Sequence, residues 1–448
     1  MIKYTRFFII ILLAVSALGA KAQSQSTATT SSPYSRYGLG DIDASGLPQT
    51  KAMGGIGAAI NKINNYNTIN VLNPASYGAI NYTTFDIGIY TNIIGLSQTG
   101  QTGTSNANFR LSHVNFAVPV SKRSALSFGL MPYSEVGYNY KQTKANFGSG
   151  SPVDTNAVNY LYSGDGGLSK AYIGYGFGIG KHLLIGGNVS YIFGNLVQTS
   201  STEAPLGSPG LYGFLNSKIE QSNSINGLNY DYGVQYSFDW ANETKHVILG
   251  YSASTASSIN NTESYIVSQY TYDGSGNQNV AADSIVNKQS AQTKIKLPQV
   301  NHFGVSYQYD GHYLIGADFT TGNWSNYSGP GMGADVTFQN SKTYNIGGQI
   351  TPNALGGYFA RVDYRLGFIY DQTYLNINNT NINRYAVTFG LGLPLAPSQT
   401  RTTFYKINLS AEVGKRGTVE NGLVKENYVN IHLGFTLNDK WFMKYKFQ

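Results

Sequence analysis

The stretch Leu228-Asn229-Tyr230-Asp231-Tyr232-Gly233-Val234-Gln235-Tyr236-Ser237-Phe238-Asp239-Trp240 decides how this chain is read. Apolar or aromatic side chains fill the even positions and small or polar ones the odd positions, the period of a β-strand whose two faces meet different surroundings. A helix would scatter both sets around its circumference. The same division recurs at Val114, Phe116, Val118 and Val120, at Leu183, Ile185, Val189, Tyr191 and Phe193, and at Phe303, Val305, Tyr307 and Tyr309. It returns near the end at Ile407, Leu409, Ala411 and Val413, then at Val429, Ile431, Leu433, Phe435 and Leu437.

A soluble sandwich or propeller also alternates, so the period alone does not choose between them. Many of these segments outrun the roughly five or six residues of a soluble strand and suit a tilted strand crossing about 25 Å of apolar band. Tyr and Phe recur at segment ends, as an interfacial aromatic girdle requires. Connections alternate between short (121–123, 180–182, 241–245, 310–312, 352–356) and long (141–167, 198–223, 256–292), matching short periplasmic turns and long external loops. The long ones are rich in Ser, Asn, Thr, Gly and Gln and are expected to be solvated loops. Charged residues make up only 12% of the chain, against about 25% in a soluble domain. With no long apolar run after residue 18, the low charge excludes a helical membrane protein and leaves a barrel, whose wall needs apolar residues only at alternate positions. Fifteen segments can be counted from Tyr82 to Phe447. If the connection after Gly95 faces outside, the segment ending at Leu437 is the fourteenth and returns to the periplasm, leaving the rest as a tail with Trp441 and Phe442 at the interface.

At the start, Lys3 and Arg6 precede an apolar run from Phe7 to Leu18 and then Ala20-Lys21-Ala22, the three parts of a signal peptide. Export from a Gram-negative cell to its outer membrane is expected. Removing Lys3, Arg6 and Lys21 lowers the net charge from +7 by three, to +4. The remaining Lys and Arg are scattered singly, which speaks against nucleic acid as a partner. With no Cys there is neither a disulfide framework nor a lipidated start.

Residues 23–80 carry Gly and Pro signals without sustained alternation. Within them, Ala52-Met53-Gly54-Gly55-Ile56-Gly57-Ala58-Ala59 and Asn73-Pro74-Ala75-Ser76 resemble the hatch of the long-chain fatty acid transporter family, the FadL/TodX-like outer-membrane transport proteins. The family's Asn-Pro-Ala motif matches at Asn73, Pro74 and Ala75. Gly414-Lys415-Arg416-Gly417-Thr418 and Trp441-Phe442 are similar to a little-characterised Gram-negative branch of that family. The resemblance implies fourteen strands around a lumen filled by an N-terminal hatch, in agreement with the loop parity. It also implies hydrophobic cargo that enters from outside, meets an apolar pocket above the hatch and leaves through an opening in the wall. Gly54, Gly55 and Gly57 would permit close packing in a crowded lumen, and Asn73-Pro74 favours a turn before the first strand. The expected organisation is a signal peptide (1–22), an N-terminal hatch or plug (23–80), a fourteen-stranded antiparallel transmembrane β-barrel (81–437) and a periplasmic tail (438–448).

Catalytic chemistry needs a convergent nucleophile, base and orienting group. His182, His246 and His312 sit at short turns; His113, His302 and His432 face inward without metal-ligand spacing. Asp41-x-Asp43-x-Ser45-Gly46 copies the opening of a calcium loop, but Ala52 stands where a bidentate Glu is needed. Gly174, Gly176, Gly178 and Gly180 share one strand face with no helix after them, which reads as a close approach of plug to wall. Neither enzyme, metal nor cofactor is expected. The most polar inward row is Arg361, Asp363 and Arg365, which Glu412 could join, either as a contact for cargo or latch on the hatch or as a space-filling ladder.

Two function classes follow. One is a barrel for passive passage of a small, partly hydrophobic or amphipathic molecule through a hatch-gated lumen, in contact with outer-membrane lipid. The other is a non-transporting structural or accessory subunit that meets protein partners in an outer-membrane assembly or secretion complex. The long loops are polar here, whereas family members that capture fatty acids present apolar ones. Transport calls for a continuous apolar and aromatic cavity from loops to hatch; a lumen packed solid by residues 23–80 favours the subunit.

Overall fold

In the computed structural model the described residues are 30–43, 45–63, 66–145, 157–204, 215–273, 278–279, 283–333, 335–396 and 403–441. The expected signal peptide and residues 442–448 of the expected tail lie outside them. Fourteen antiparallel strands close on themselves. They are β1 (Thr83–Ser97), β2 (Thr104–Ser121), β3 (Ser124–Ala145), β4 (Ala157–Ile179), β5 (Leu183–Glu203), β6 (Asn216–Trp240), β7 (Lys245–Ser254 and Ser257–Tyr270) and β8 (Asp283–Leu297 and Val300–Tyr309). They continue as β9 (Tyr313–Gly322), β10 (Val336–Phe338 and Ser341–Ile350), β11 (Asp363–Ile377), β12 (Thr380–Pro394), β13 (Thr403–Arg416) and β14 (Lys425–Asp439). Closure is made by β14 against β1, from Lys425 opposite Ser97 to Asp439 opposite Thr83. The wall therefore ends at Asp439, two residues beyond the expected Leu437.

Leu228, Tyr230, Tyr232, Tyr236, Phe238 and Trp240 form an exposed outward row on β6, while Asn229, Asp231 and Gln235 are buried inside. That is the facing a lipid-embedded wall requires. The expected long loops are largely strand. The ladder β4–β5 runs to Asn159 opposite Glu203, and β6 pairs upward to Asn216, well past Leu228 where its outward apolar row ends. Polar composition hid this extension, because a ladder is held by backbone hydrogen bonds that no side chain needs to support. The connection counted at 352–356 is also longer in fact, running from Thr351 to Val362 with a 3₁₀ turn over Tyr358–Arg361.

Among the described residues, neighbours in chain order part within the outward apolar band between β2 and β3. Strands β2 and β3 pair from Ser121 opposite Ser124 only as far as Val114 opposite Leu130. Beyond that point β2 stays with β1 up to Thr104, and β3 stays with β4 up to Ala145. Register shifts at Ser112 of β2 and Tyr133 of β3 mark the divergence. An extra residue on one strand bends it and raises its twist, which swings the two strands apart. Phe109 and Leu111, exposed at 65% and 49%, continue the lipid-facing row along this border.

Residues 33–80 pack against the inner faces of the strands. Leu39, Met53, Ala58, Ile69, Ala75, Tyr77 and Ile80 are completely buried. Wall glycines make room for them. A Cβ on Gly347 of β10 or on Gly367, its partner on β11, would collide with the backbone at Met53 and Gly54, and one on Gly176 or Gly186 would collide with the Pro74 carbonyl. Of the four period-two glycines, Gly174 and Gly176 thus face Tyr77 and Pro74, Gly178 faces Arg123, and Gly180 takes φ +58° at a turn. Replacing Gly367 by Val is expected to cost about 1–3 kcal/mol by overpacking and to make residues 47–60 protease-sensitive. Leu366→Val, on the lipid side, should leave the cleavage pattern unchanged. Limited proteolysis of the folded barrel in detergent distinguishes the two.

Candidate functional site

The seam between β2 and β3 is filled by the N-terminal segment. Asp41 and Ile42 pair antiparallel with Glu135 and Ser134 on the freed edge of β3, and the Asp43 amide donates to the Tyr133 carbonyl at 3.0 Å. Further up, the Gly137 amide donates to Ser35 Oγ at 3.0 Å. On the opposite bank Ser31 Oγ donates to Asn108 Oδ1 at 3.3 Å. Arg110 of β2 spans the gap, with its guanidinium 3.1 Å from Asp43 Oδ2, paired with Glu135 and 4.4 Å from the Tyr90 ring centre. Lys51 Nζ completes the cluster 2.8 Å from Asp43 Oδ1. The cluster therefore holds two carboxylates between two cations, nearly all of it out of water.

A second cluster anchors the segment to β13 and β14. Arg416 reaches Asp41 Oδ1 at 2.8 Å and Glu426 Oε2 at 2.8 Å, and also bonds Ser32, whose hydroxyl donates to Glu426 Oε1 at 2.6 Å. Tyr34 lies beneath the guanidinium and donates to the Val424 carbonyl. Asp41 and Asp43, spaced like calcium ligands, are thus each engaged by protein cations.

The motif residues bond mainly through backbone. Gly54 and Gly55 adopt φ +71° and +78°, in the left-handed region that glycine enters without strain. The Gly54 amide donates to Thr388 Oγ1 at 2.8 Å, and that hydroxyl donates to the Ala52 carbonyl. The Gly57 and Ala58 amides both donate to Asp318 Oδ2, at 2.6 and 2.8 Å. Asn73 caps the turn Pro74–Ala79 by accepting from the Ala75 amide, and its Nδ2 donates to the Ala58 carbonyl at 2.6 Å. Pro74 supplies the carbonyl that lies against Gly176 and Gly186.

The structure separates the residues of the expected polar row. Asp363 and Arg365 are buried together, joined by Lys406, Gln349 and Asn408, and Lys406 Nζ lies 3.6 Å from the Tyr66 ring centre. Arg361 is exposed in the 3₁₀ turn that precedes β11, because the strand begins only at Asp363 and alternation has no meaning before it. Glu412 does not join the row. It accepts from Tyr428 at 2.7 Å and lies 3.8 Å from Arg384, six positions along β13 from Lys406, or roughly 20 Å at the rise of a strand. Arg110, Arg416 and Asp318 were missed as site residues. Arg110 and Asp318 stand at inward parity in their strands, and that parity was the signal available.

A cavity of about 490 Å³ lies above the segment with Arg36 and Tyr37 at its floor. Its lining is polar, including Gln198, Gln221, Asn223 and Asn261, and so it is not the continuous apolar cavity that transport calls for. His113, His302 and His432 bring no third ligand into range; among the described residues no group of three or more His, Cys, Asp or Glu could hold a metal. Ser112 Oγ, His113 and Asp86 stand in the order of an acyl-transfer triad, at 3.1 and 2.6 Å, but all three are buried beneath Gln49 and Thr436 with no room for substrate.

A family model described as BamG matches residues 1–448. No curated protein matches the chain. Among solved structures it is similar to the P. putida toluene transporter TodX, at 14% identity and a TM-score of 0.57 over 90% of this chain and 100% of that one. It is likewise similar to the Ralstonia pickettii toluene transporter TbuX, at 15% identity and a TM-score of 0.56 over 88% and 99%. A Pseudomonas aeruginosa FadL homologue gives 12% and 0.53 over 90% and 100%. The fold is therefore that of the FadL-like barrels.

Burial would raise the Asp43 carboxyl, but Lys51 and Arg110 outweigh it and hold the group at about 2, below its ordinary 3.8. A carboxyl depressed in the folded state adds stability above its unfolded pKa and loses it as pH falls through the folded one. Hydrogen-exchange protection of residues 31–46 is expected to hold from pH 7 to about pH 4 and to fall between about pH 4 and 2. Asp43→Asn should remove that acid step. Arg110→Ala, which strands Glu135 beside Asp43, should cost roughly 3–5 kcal/mol, read as loss of the same protection at neutral pH.

Proposed function

The chain belongs to the BamG family, and from that premise and the filled seam we propose an outer-membrane barrel for passive passage of a small, partly hydrophobic molecule, with residues 30–80 as its hatch. One observation carries the reading. The wall parts between β2 and β3 beside lipid-facing Phe109 and Leu111, and residues 31–43 fill the parting with short pairings and ion pairs. Displacing that stretch would leave a lateral route from the lumen to the bilayer without unzipping any strand from its neighbour. Similarity of fold to structures described as toluene transporters supports a small hydrophobic cargo. On this reading the hatch is closed. Asp43, Arg110 and Lys51 act as its latch, and Asp318, Thr388 and the wall glycines hold its far side.

A second reading, an accessory subunit of an outer-membrane assembly that transports nothing, is favoured by the packed lumen and the polar cavity above it. Because the chain has no Cys, Ile42→Cys with Ser134→Cys places one designed pair across the seam. The two face each other in register, flanked by the bonded pair Asp43 and Tyr133, which makes theirs the closer, non-bonded kind of pair. In proteoliposomes loaded with a toluene-sensitive dye, the reduced variant should admit toluene at the wild-type rate, and the oxidised one no faster than protein-free vesicles. Equal rates for wild type, both redox states and protein-free vesicles would sink the transport reading and leave the subunit.

A further inference from the structure

The upper piece of β8, Asp283–Leu297, projects beyond the apolar belt as the margin of the sheet β3 to β8. Its ladder is with β7 alone, from Ser257 opposite Leu297 to Gln269 opposite Asp283. On the other side β9 ends at Gly322, and the chain after it turns inward instead of continuing the wall. Trp324 and Tyr327 are buried, Trp324 stacks on Tyr374 with ring centres 4.3 Å apart, and the Gly38 amide donates to the Gly331 carbonyl at 3.1 Å. Among the described residues, a single bridge touches the free margin: Lys296 and Ser328, antiparallel, with the Lys296 amide donating to the Ser328 carbonyl at 2.9 Å.

That bridge fixes the facing of the margin. In an antiparallel ladder the N–H and C=O of one residue point to the same side and alternate along the strand. Lys296 points outward, so Lys294 and Gln292 turn their backbone groups outward too, while Ile295, Thr293 and Ala291 bond β7. Ser328 thus occupies the first rung of a strand position that no other described residue fills. Thr293 and Lys294 also border the 490 Å³ cavity, together with Gln221, Asn223, Asn261 and the Glu263 carboxylate, so neutral side chains on the inner face of an added strand would have room and amide partners, and its acidic side chains belong on the outer face.

We infer that this margin receives an extended, acidic segment of another polypeptide, added antiparallel to β8 beside Ser328. Strand addition draws affinity from main-chain hydrogen bonds and specificity from pockets for alternate side chains. The charge selects the partner. Between Ile285 and Leu297 the strand carries Lys288, Lys294 and Lys296 and no carboxylate. A second copy of this chain would set lysines against lysines and is disfavoured. The bulge at Ser290, with φ +57°, together with the lysines guards the rest of the margin against indiscriminate pairing and confines the docking rungs to Gln292 and Lys294.

The test uses the full protein in detergent micelles and a short fluorescent peptide alternating Glu and Thr, followed by anisotropy. Saturable binding is expected, weakened by roughly ten-fold or more when alternate peptide nitrogens on the bonding edge are methylated, since each methyl removes a main-chain donor. Gln292→Pro removes an outward N–H without touching the β7 ladder and should weaken binding to a similar degree; retained heat-modifiable migration shows that the variant barrel is folded. The same peptide with Lys for Glu should not bind. Absence of binding up to about 1 mM overturns the inference, and so does binding that is indifferent to peptide N-methylation, which would be charge attraction alone.

Discussion

Backbone hydrogen bonding in a medium without water governs this molecule. Within a bilayer every main-chain N–H and C=O must find a partner in the protein, which is why only helices and closed barrels cross it. Thirteen sequential neighbours and the β14–β1 closure meet that demand nearly everywhere. Where β2 and β3 separate, the demand is unmet by the wall, and the N-terminal segment meets it with Asp41, Ile42 and Asp43 against β3. The segment is therefore part of the wall at one place and contents of the lumen elsewhere. That double role makes the seam the one place where moving the contents alters the wall.

The two kinds of contact that hold the segment differ in what it takes to undo them. Over residues 52–60 and 73–78 it sits backbone-to-backbone on wall glycines, and this fit leaves no tolerance for an added methyl group. Over residues 31–43 it is held by Arg110, Lys51 and Arg416 against Asp41, Asp43, Glu135 and Glu426. Buried ion pairs are weak contributors to net stability because desolvation offsets their attraction, yet breaking one partner is costly. Water entering the seam would repay the desolvation and let the pairs separate together. The glycine-seated part would gain nothing comparable. On the proposed reading the segment divides into a half seated on the wall glycines and a half held by ion pairs in the seam, and the second is the one that would release.

Much of the fold was legible because lipid imposes period two on the outer face. Leu228 to Trp240 gave the facing directly, and Gly174 and Gly176 marked a close approach that Tyr77 and Pro74 indeed make. What could not be read is what alternation does not encode. Residues 257–270 and 283–297 are mostly polar and bury Ile259, Tyr270, Ile295 and Leu297 only near the ends of their ladder, so no sustained apolar period marks it. The seam is set by two one-residue register shifts, and a bulge at Ser112 or Tyr133 changes spacing without changing composition. Arg361 was placed in the row by extending a strand's parity two residues past its start. Glu412 was joined to it because parity gives the side of the wall but not the height along it. Asp41 and Asp43 are spaced like the opening of a calcium loop, but the cations that engage them are protein side chains, Lys51 eight positions on and Arg110 and Arg416 far away in sequence.

Height along the wall also explains how a polar cavity and a hydrophobic route can coexist in one barrel. The cavity lined by Gln198, Gln221 and Asn261 belongs to the part of β5 to β7 that stands above the outward apolar row, where strands are wet on both faces. The seam begins lower, at Leu130 and Val114, where Phe128, Leu130, Leu111 and Phe109 face outward into lipid. A molecule crossing the seam would not need an apolar path through the whole lumen. It would need only to pass Arg36 and Tyr37 at the cavity floor and reach the stretch held by Asp43. On the proposed reading the polar vestibule would select for solubility in water and the lipid border for solubility in the bilayer. A small amphipathic solute satisfies both, which a long-chain fatty acid, with its extended alkyl tail, does not.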